Sequence, residues 1–230
     1  MKQRGSALLL GIVALALLCL AGYRWYGKRT PPEPNLAQQA NEDLDRRGFV
    51  PLSEPLSALI DDPKYDSVPT QVHPLLNRPS PEFSLVDVDG KRWTSQELRR
   101  EGPLVLVFYF GYNCNHCVSQ LFGLHKDIDK FRELGARVAA ISADPSALTR
   151  QRYEKYGAFD FVVLCDEGNR VAEAFDVYRR HKADAEGELM HGTFVIREDG
   201  TIVWVNRGEE PFTANRTLLI ELHRQRKRKD

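Results

Sequence analysis

The stretch Cys114-Asn115-His116-Cys117 constrains this chain more than any other. It follows Pro103-Leu104-Val105-Leu106-Val107-Phe108-Tyr109-Phe110, an unbroken apolar run of the kind that forms a strand buried on both faces. It precedes Val118 to Arg132, VSQLFGLHKDIDKFR, which reads as one helix. The two thiols therefore fall at a strand-to-helix junction, on the first turn of the helix. Unpaired amide N–H groups and the positive end of the helix dipole favour an anion there. For cysteine that anion is the thiolate, the form that attacks disulfides and binds metals. A CxxC alone is a weak signal, whereas one that opens a helix after a buried strand is a strong one.

The other cysteines support this reading. Cys165 stands alone, and Cys19 lies in an apolar stretch near the start. Three cysteines beyond that stretch do not make a disulfide framework; they make a working pair, Cys114 and Cys117, and a third that reads as a buried thiol. A reversible Cys114–Cys117 disulfide fits an oxidising compartment.

Ser6 to Tyr23 carries no charge and has about the minimum length for crossing a bilayer. Arg24-Trp25-Tyr26-Gly27-Lys28-Arg29 follows in place of a small-residue cleavage pattern. Residues 1–27 are thus expected to form an uncleaved transmembrane anchor, with the rest of the chain outside the cytoplasm, on the periplasmic or cell-surface side. Residues 28–78 read as a linker that partly wraps the domain, with a short helix over 36–48 and, over 49–80, a stretch rich in Pro, Asp and Ser without periodicity. The tail 223–230 is basic and reads as a solvated helix end. The 230 residues carry 32 basic and 32 acidic side chains, a balance that gives no global field for nucleic acid.

Residues 79–222 read as one α/β domain. Phe83 to Val88 alternates, meets the turn Asp89-Gly90 and continues into Lys91-Arg92-Trp93, a hairpin signal. Thr94-Ser95-Gln96-Glu97 is a capping box. Arg137 to Ser142 is a strand, Asp144-Pro145 caps a helix running to Tyr156, Phe161 to Leu164 is a strand and 169–175 a short helix. Thr193 to Val205 is a second hairpin about Glu198-Asp199-Gly200, and 213–227 the last helix. This order predicts a mixed central sheet covered by helices, with 104–110 beside 137–142. The CxxC then lies at the carboxyl edge of a central strand, where α/β sites gather. His73, His125, His181 and His223 read as surface residues.

The segments PEFSLVDVDGKRWTSQEL (81–98), PLVLVFYFGYNCNHC (103–117), ISADPSALTRQRYEKYG (141–157), CDEGNRVAEAFDVY (165–178) and GTFVIREDGTIVW (192–204) resemble the AhpC/TSA-type redoxins of the thioredoxin superfamily. That resemblance implies a thioredoxin-like fold and a thiol–disulfide oxidoreductase acting on a protein dithiol or disulfide, with no cofactor beyond the Cys114–Cys117 disulfide. Cys114 takes the part of the attacking thiol and Cys117 that of the resolving one. His116, between them, resembles the histidine of CPHC oxidants and is expected to tune the pair. Tyr112, His191, Gly192 and Thr193 are expected to line the substrate site. Gly192 stands where the superfamily has a cis-proline.

Two other resemblances stay open. Aligned with peroxiredoxins, Cys117 is the peroxidatic cysteine, but Phe110, Cys114 and His191 replace the proline, threonine and arginine of that set; Cys165 is then a candidate resolving residue. Tyr109-Phe110-Gly111-Tyr112 also resembles Sco-type copper chaperones, which implies Cu(I) held by Cys114, Cys117 and His191, although this chain has CxxC where that family has CxxxC. The sequence leaves the oligomeric state open.

Overall fold

The computed structural model describes residues 35–111, 114–179 and 187–227. The apolar stretch 6–23, and with it the expected anchor and Cys19, lies outside the described residues, as do Tyr112, His181 and residues 228–230. Among the described residues no helix is long and apolar enough to cross a membrane.

Strand β3 (Leu104–Phe108) forms the centre of the molecule, and every one of its residues is buried. It pairs in parallel with β4 (Arg137–Ser142), which pairs in parallel with β5 (Val162–Cys165). The hairpin β1 (Ser84–Asp87) and β2 (Arg92–Thr94) joins antiparallel to β5. On the other side β8 (His191–Ile196) runs antiparallel to β3, and β9 (Ile202–Gly208) antiparallel to β8. The seven-stranded order is β2-β1-β5-β4-β3-β8-β9, and a separate two-stranded ribbon joins β6 (Tyr178–Arg179) to β7 (Glu188–Leu189).

Side-chain alternation along β3 supplies both cores. Val105 and Val107 face one side, with Val138, Ala140, Val163, Val195 and Trp204 of neighbouring strands. Against that face pack α4 (Asn115–Lys126), α5 (Ile128–Glu133) and α8 (Asn215–Lys227). Leu104, Leu106 and Phe108 face the other side, where α3 (Ser95–Leu98) and α7 (Arg170–Ala174) supply Leu98, Val171 and Ala172. Phe175, just past α7, packs there on Phe108 and Phe194. Helix α6 (Ser146–Tyr156) links β4 to β5. Thr94 and Glu97 make the reciprocal capping box at α3.

Several local expectations are corrected. The helix expected over 118–132 is two helices, broken at Asp127. The buried Asp127 carboxylate accepts from Leu52 N–H and from Asn215 Nδ2, each at 2.8 Å. It ties the break to an upstream loop and to α8. Of the expected cap Asp144-Pro145, Pro145 is the N-cap of α6 and makes no side-chain capping bond. His73 is not a surface residue. It is 7% exposed, lies edge-on to Phe194 and accepts from Leu75 N–H through Nδ1.

Residues 35–78, expected as a linker, contribute two helices to the packed unit. Helix α1 (Leu36–Arg46) lies along α4, with Ala40 and Leu44 fully buried. Helix α2 (Leu56–Ile60) packs on α8 through Leu59. Beyond it, Gln71 N–H and Asn77 N–H donate to the carbonyls of Val205 and Ile202 on the outer strand β9. The apolar pattern of α1 is obscured in the sequence because a carboxylate, Asp43, shares its buried face.

Candidate functional site

Strand β3 ends at Phe108, and the chain turns through Gly111 into α4. Gly111 has φ +94, and a Cβ there would meet the Asp144 carboxylate at 2.6 Å. A side chain is thus excluded twice over, by conformation and by space. This turn delivers Cys114 to the N-cap of α4, in an extended conformation with no side-chain cap bond. Its carbonyl already accepts from Cys117 N–H at 3.1 Å and Val118 N–H at 3.3 Å. Its sulfur therefore sits at the end of a helix whose first amides seek an anion.

Cys114 and Cys117 are joined in a disulfide, with Cα atoms 5.3 Å apart. The two sulfurs differ in access: Cys114 is partly exposed, whereas Cys117 is fully buried and belongs to the core beside Val118 and Leu121. Cys165 is a free, buried thiol at the end of β5, and burial pushes its pKa up to about 11. It is an inert thiol in this fold.

His116 is exposed, and its Nδ1 lies 2.6 Å from Asp43 Oδ1 on α1. Asp43 is itself 2% exposed. Its other oxygen accepts from Arg47 Nε at 2.7 Å and from Ser119 Oγ at 2.8 Å. Burial pushes the carboxyl pKa up, but the hydrogen bonds from Arg47, Ser119 and His116 outweigh it and bring it down to about 2. The carboxylate is therefore ionised and can only accept, so His116 Nδ1 donates. Arg47 also reaches Glu210, past the end of β9, at 2.7 Å.

The expected substrate-lining residues of β8 are all buried in this oxidised form. His191 is 3% exposed, its ring set edge-on against Phe110 with centroids 4.4 Å apart. Its Nδ1 donates to Glu209 O at 2.9 Å, which leaves Nε2 buried without a hydrogen-bond partner. Burial pushes its pKa down to about 4 against the opposing pull of the Glu209 carbonyl, so the ring is neutral at physiological pH. Gly192 sits opposite Phe108, and a Cβ there would lie 2.5 Å from Val177 Cγ1. Among the described residues no peptide bond is cis. Thr193 accepts from Gln120 Nε2 at 2.8 Å, a buried bond that ties β8 to the thiol-bearing helix. Tyr112 falls outside the described residues. Among the described residues no three His, Cys, Asp or Glu side chains converge as a metal-binding group, so Cys114, Cys117 and His191 are not assembled as one here.

Sequence reasoning missed Asp43, Arg47, Ser119, Gln120 and Glu210. Asp43 pairs with Arg46 and Arg47 at i,i+3 and i,i+4, a pattern common on solvated helix faces, and only the fold buries its carboxylate.

The profile described as AhpC/TSA family matches residues 76–205. Peroxiredoxin Q, chloroplastic, of Oryza sativa subsp. japonica is 30% identical over 127 residues, 55% of this chain and 56% of that protein. The thiol-disulfide oxidoreductase ResA of Halalkalibacterium halodurans is 28% identical over 127 residues, 55% of this chain and 65% of that protein. The chain thus spans a little over half the length of its peroxiredoxin Q relatives. Among solved structures, peroxidoxin BcpB from Mycobacterium tuberculosis superposes with a TM-score of 0.59 at 25% identity, covering 66% of this chain and 98% of that one. Peroxiredoxin Q of Xanthomonas campestris, at TM-score 0.54 and 20% identity over 62% of this chain and 90% of that one, shares the fold. The profile takes in β3, the thiol pair and the strands on both sides of them, and on that match the chain belongs to the AhpC/TSA family.

Proposed function

We propose that this protein is a thiol–disulfide oxidoreductase that exchanges disulfides with a partner protein through Cys114 and Cys117. The observation that carries this reading is the unequal access of the two sulfurs, one partly exposed at a helix N-cap and one sealed in the core. An incoming thiolate attacks the exposed Cys114 Sγ, forms a mixed disulfide and expels the Cys117 thiolate, which takes up a proton. A second partner thiolate then attacks the partner's own sulfur in the mixed disulfide and expels the Cys114 thiolate. Two partner thiols are thereby oxidised to a disulfide and the Cys114–Cys117 bond is reduced to two thiols. Run in reverse, the same steps reduce a partner disulfide. The helix N-terminus stabilises the Cys114 thiolate in both directions, and His116 adjoins it in the first turn. The ResA relative, named a thiol-disulfide oxidoreductase, supports this reading.

The apolar stretch 6–23 supports membrane anchoring with the domain outside the cytoplasm, where a disulfide persists. The test is trapping. Cys117→Ser should accumulate mixed disulfides through Cys114, and Cys114→Ser should accumulate none. Equal trapping by both variants, or by neither, sinks the exchange reading.

The peroxiredoxin Q relatives favour a second reading, thiol peroxidase activity through Cys117. The reduced domain would then consume peroxide and form a sulfenic acid on Cys117. Peroxide turnover retained in Cys117→Ser rules that reading out.

A further inference from the structure

We propose that Asp43 is a positioning residue for the thiol pair: through His116 it sets the environment of the Cys114 sulfur. This deepens the exchange reading and rests on it. Asp43 belongs to α1, outside the residues that the family profile matches. The carboxylate is buried, yet every strong partner it has is aimed at the start of α4 or at its own helix. His116 Nδ1 and Ser119 Oγ come from α4, Arg46 from α1 and Arg47 from its C-cap. Ser119 Oγ also reaches back to the carbonyl of His116, so that backbone and ring of the same residue are held from one side.

An ionised carboxylate accepts only, so it fixes which imidazole nitrogen carries a proton and which way the ring lies. His116 is exposed and on the first turn of a helix, and its ring is anchored through Nδ1. With Nδ1 committed to Asp43, Nε2 is the ring's remaining hydrogen-bonding atom. Among the described residues, the charged and titratable groups around this arrangement include Arg46 on α1, Arg47 at its C-cap, Glu210 beyond β9 and His191 on β8. Arg47 keeps Glu210 as a partner if Asp43 loses its charge, so the guanidinium is not left stranded.

The sign of one measurement separates positioning from simple charge. A bare negative charge near a thiol disfavours the thiolate, so its removal alone would lower the Cys114 pKa and speed alkylation at low pH. A His116 ring that favours the Cys114 thiolate and is held in place by Asp43 predicts the reverse, because removing the carboxylate releases the ring. In reduced full-length protein, Asp43→Asn should raise the Cys114 pKa and slow alkylation at pH 6 by about threefold or more. In a His116→Ala background, Asp43→Asn should change neither quantity. Ser119→Ala removes another Asp43 partner but leaves the carboxylate on His116 Nδ1, so it should shift Cys114 in the same direction as Asp43→Asn and by a smaller amount.

Faster alkylation in Asp43→Asn, an effect that persists without His116, or an equal effect from Ser119→Ala each overturns the proposal. If Asp43→Asn does not fold, nitrogen NMR of the wild-type His116 ring decides it. Nδ1 must carry its proton in both oxidised and reduced protein, and an unprotonated Nδ1 overturns the proposal. Failure of the exchange reading looks different: wild-type protein would then show no reversible equilibrium with a glutathione or dithiothreitol buffer, whatever residue 43 is.

Discussion

Gly192 and Val177 approach so closely that a methyl group on the glycine would sit 2.5 Å from Val177 Cγ1. Val177 follows α7 and packs over the strand next to β3, so a residue with any side chain at 192 would push that connection off the sheet. Gly192→Ala should destabilise the fold by roughly 1–3 kcal/mol through overpacking. Thermal unfolding should show a lower midpoint, and Val177→Ala in the same chain should restore part of it.

The unequal exposure of the two sulfurs gives a chemical prediction. In the reduced protein, a small alkylating reagent at pH 7 should modify Cys114 at least about tenfold faster than Cys117, because thiolate character and access both favour it. Cys165, buried and with its pKa pushed up to about 11, should be modified only on unfolding. Mass mapping of a labelling time course reads all three rates.

Asp43 also makes a stability prediction with a definite sign. Its carboxyl pKa falls from 3.8 to about 2 on folding, so the ionised form is the one the fold favours. That contribution is fully present above the unfolded value and is lost as pH falls from about 4 through about 2. Urea midpoints measured across that window should fall more steeply for wild type than for Asp43→Asn. Parallel curves would show that the carboxylate gains nothing from its partners.

The upstream helices should be part of the folding unit. Leu44 and Leu59 are buried against α4 and α8, and apolar side chains of this size contribute roughly 1.5–3 kcal/mol each on burial. A chain beginning at residue 76, where the family match begins, should therefore be less stable by ~3 kcal/mol or more than one beginning at residue 35. Denaturant unfolding of the two chains checks this.

The legible parts of this fold are those whose signal is local. The all-apolar run at 104–108 announced a doubly covered strand, and the turn residues 89–90 and 198–200 announced both hairpins. The reciprocal bonds of Thr94 and Glu97 span three residues and could be read directly. The break at Asp127 could not, because its cause is a pair of donors, Leu52 and Asn215, at separations of 75 and 88 residues. The same holds at the site. Cys114 and Cys117 were plain from spacing, but the partner of His116 lies 73 residues upstream in a stretch whose charges look solvated. The burial of His73 is hidden for a similar reason: no periodicity marks its segment, and it packs on Phe194 of a distant strand.

Cys117 is at once half of the disulfide and a member of the core that includes Val118, Leu121 and Leu124. Breaking the bond therefore changes an atom inside the packed interior. Around a closed thermodynamic cycle, the difference between the potential of this pair in the folded chain and in the unfolded chain equals the difference in folding stability between the oxidised and reduced proteins. Each 30 mV of the one corresponds to about 1.4 kcal/mol of the other. Core substitutions that touch neither sulfur, at Leu121 or Leu124 for example, thus become adjustments of electron affinity whenever they favour one redox form over the other.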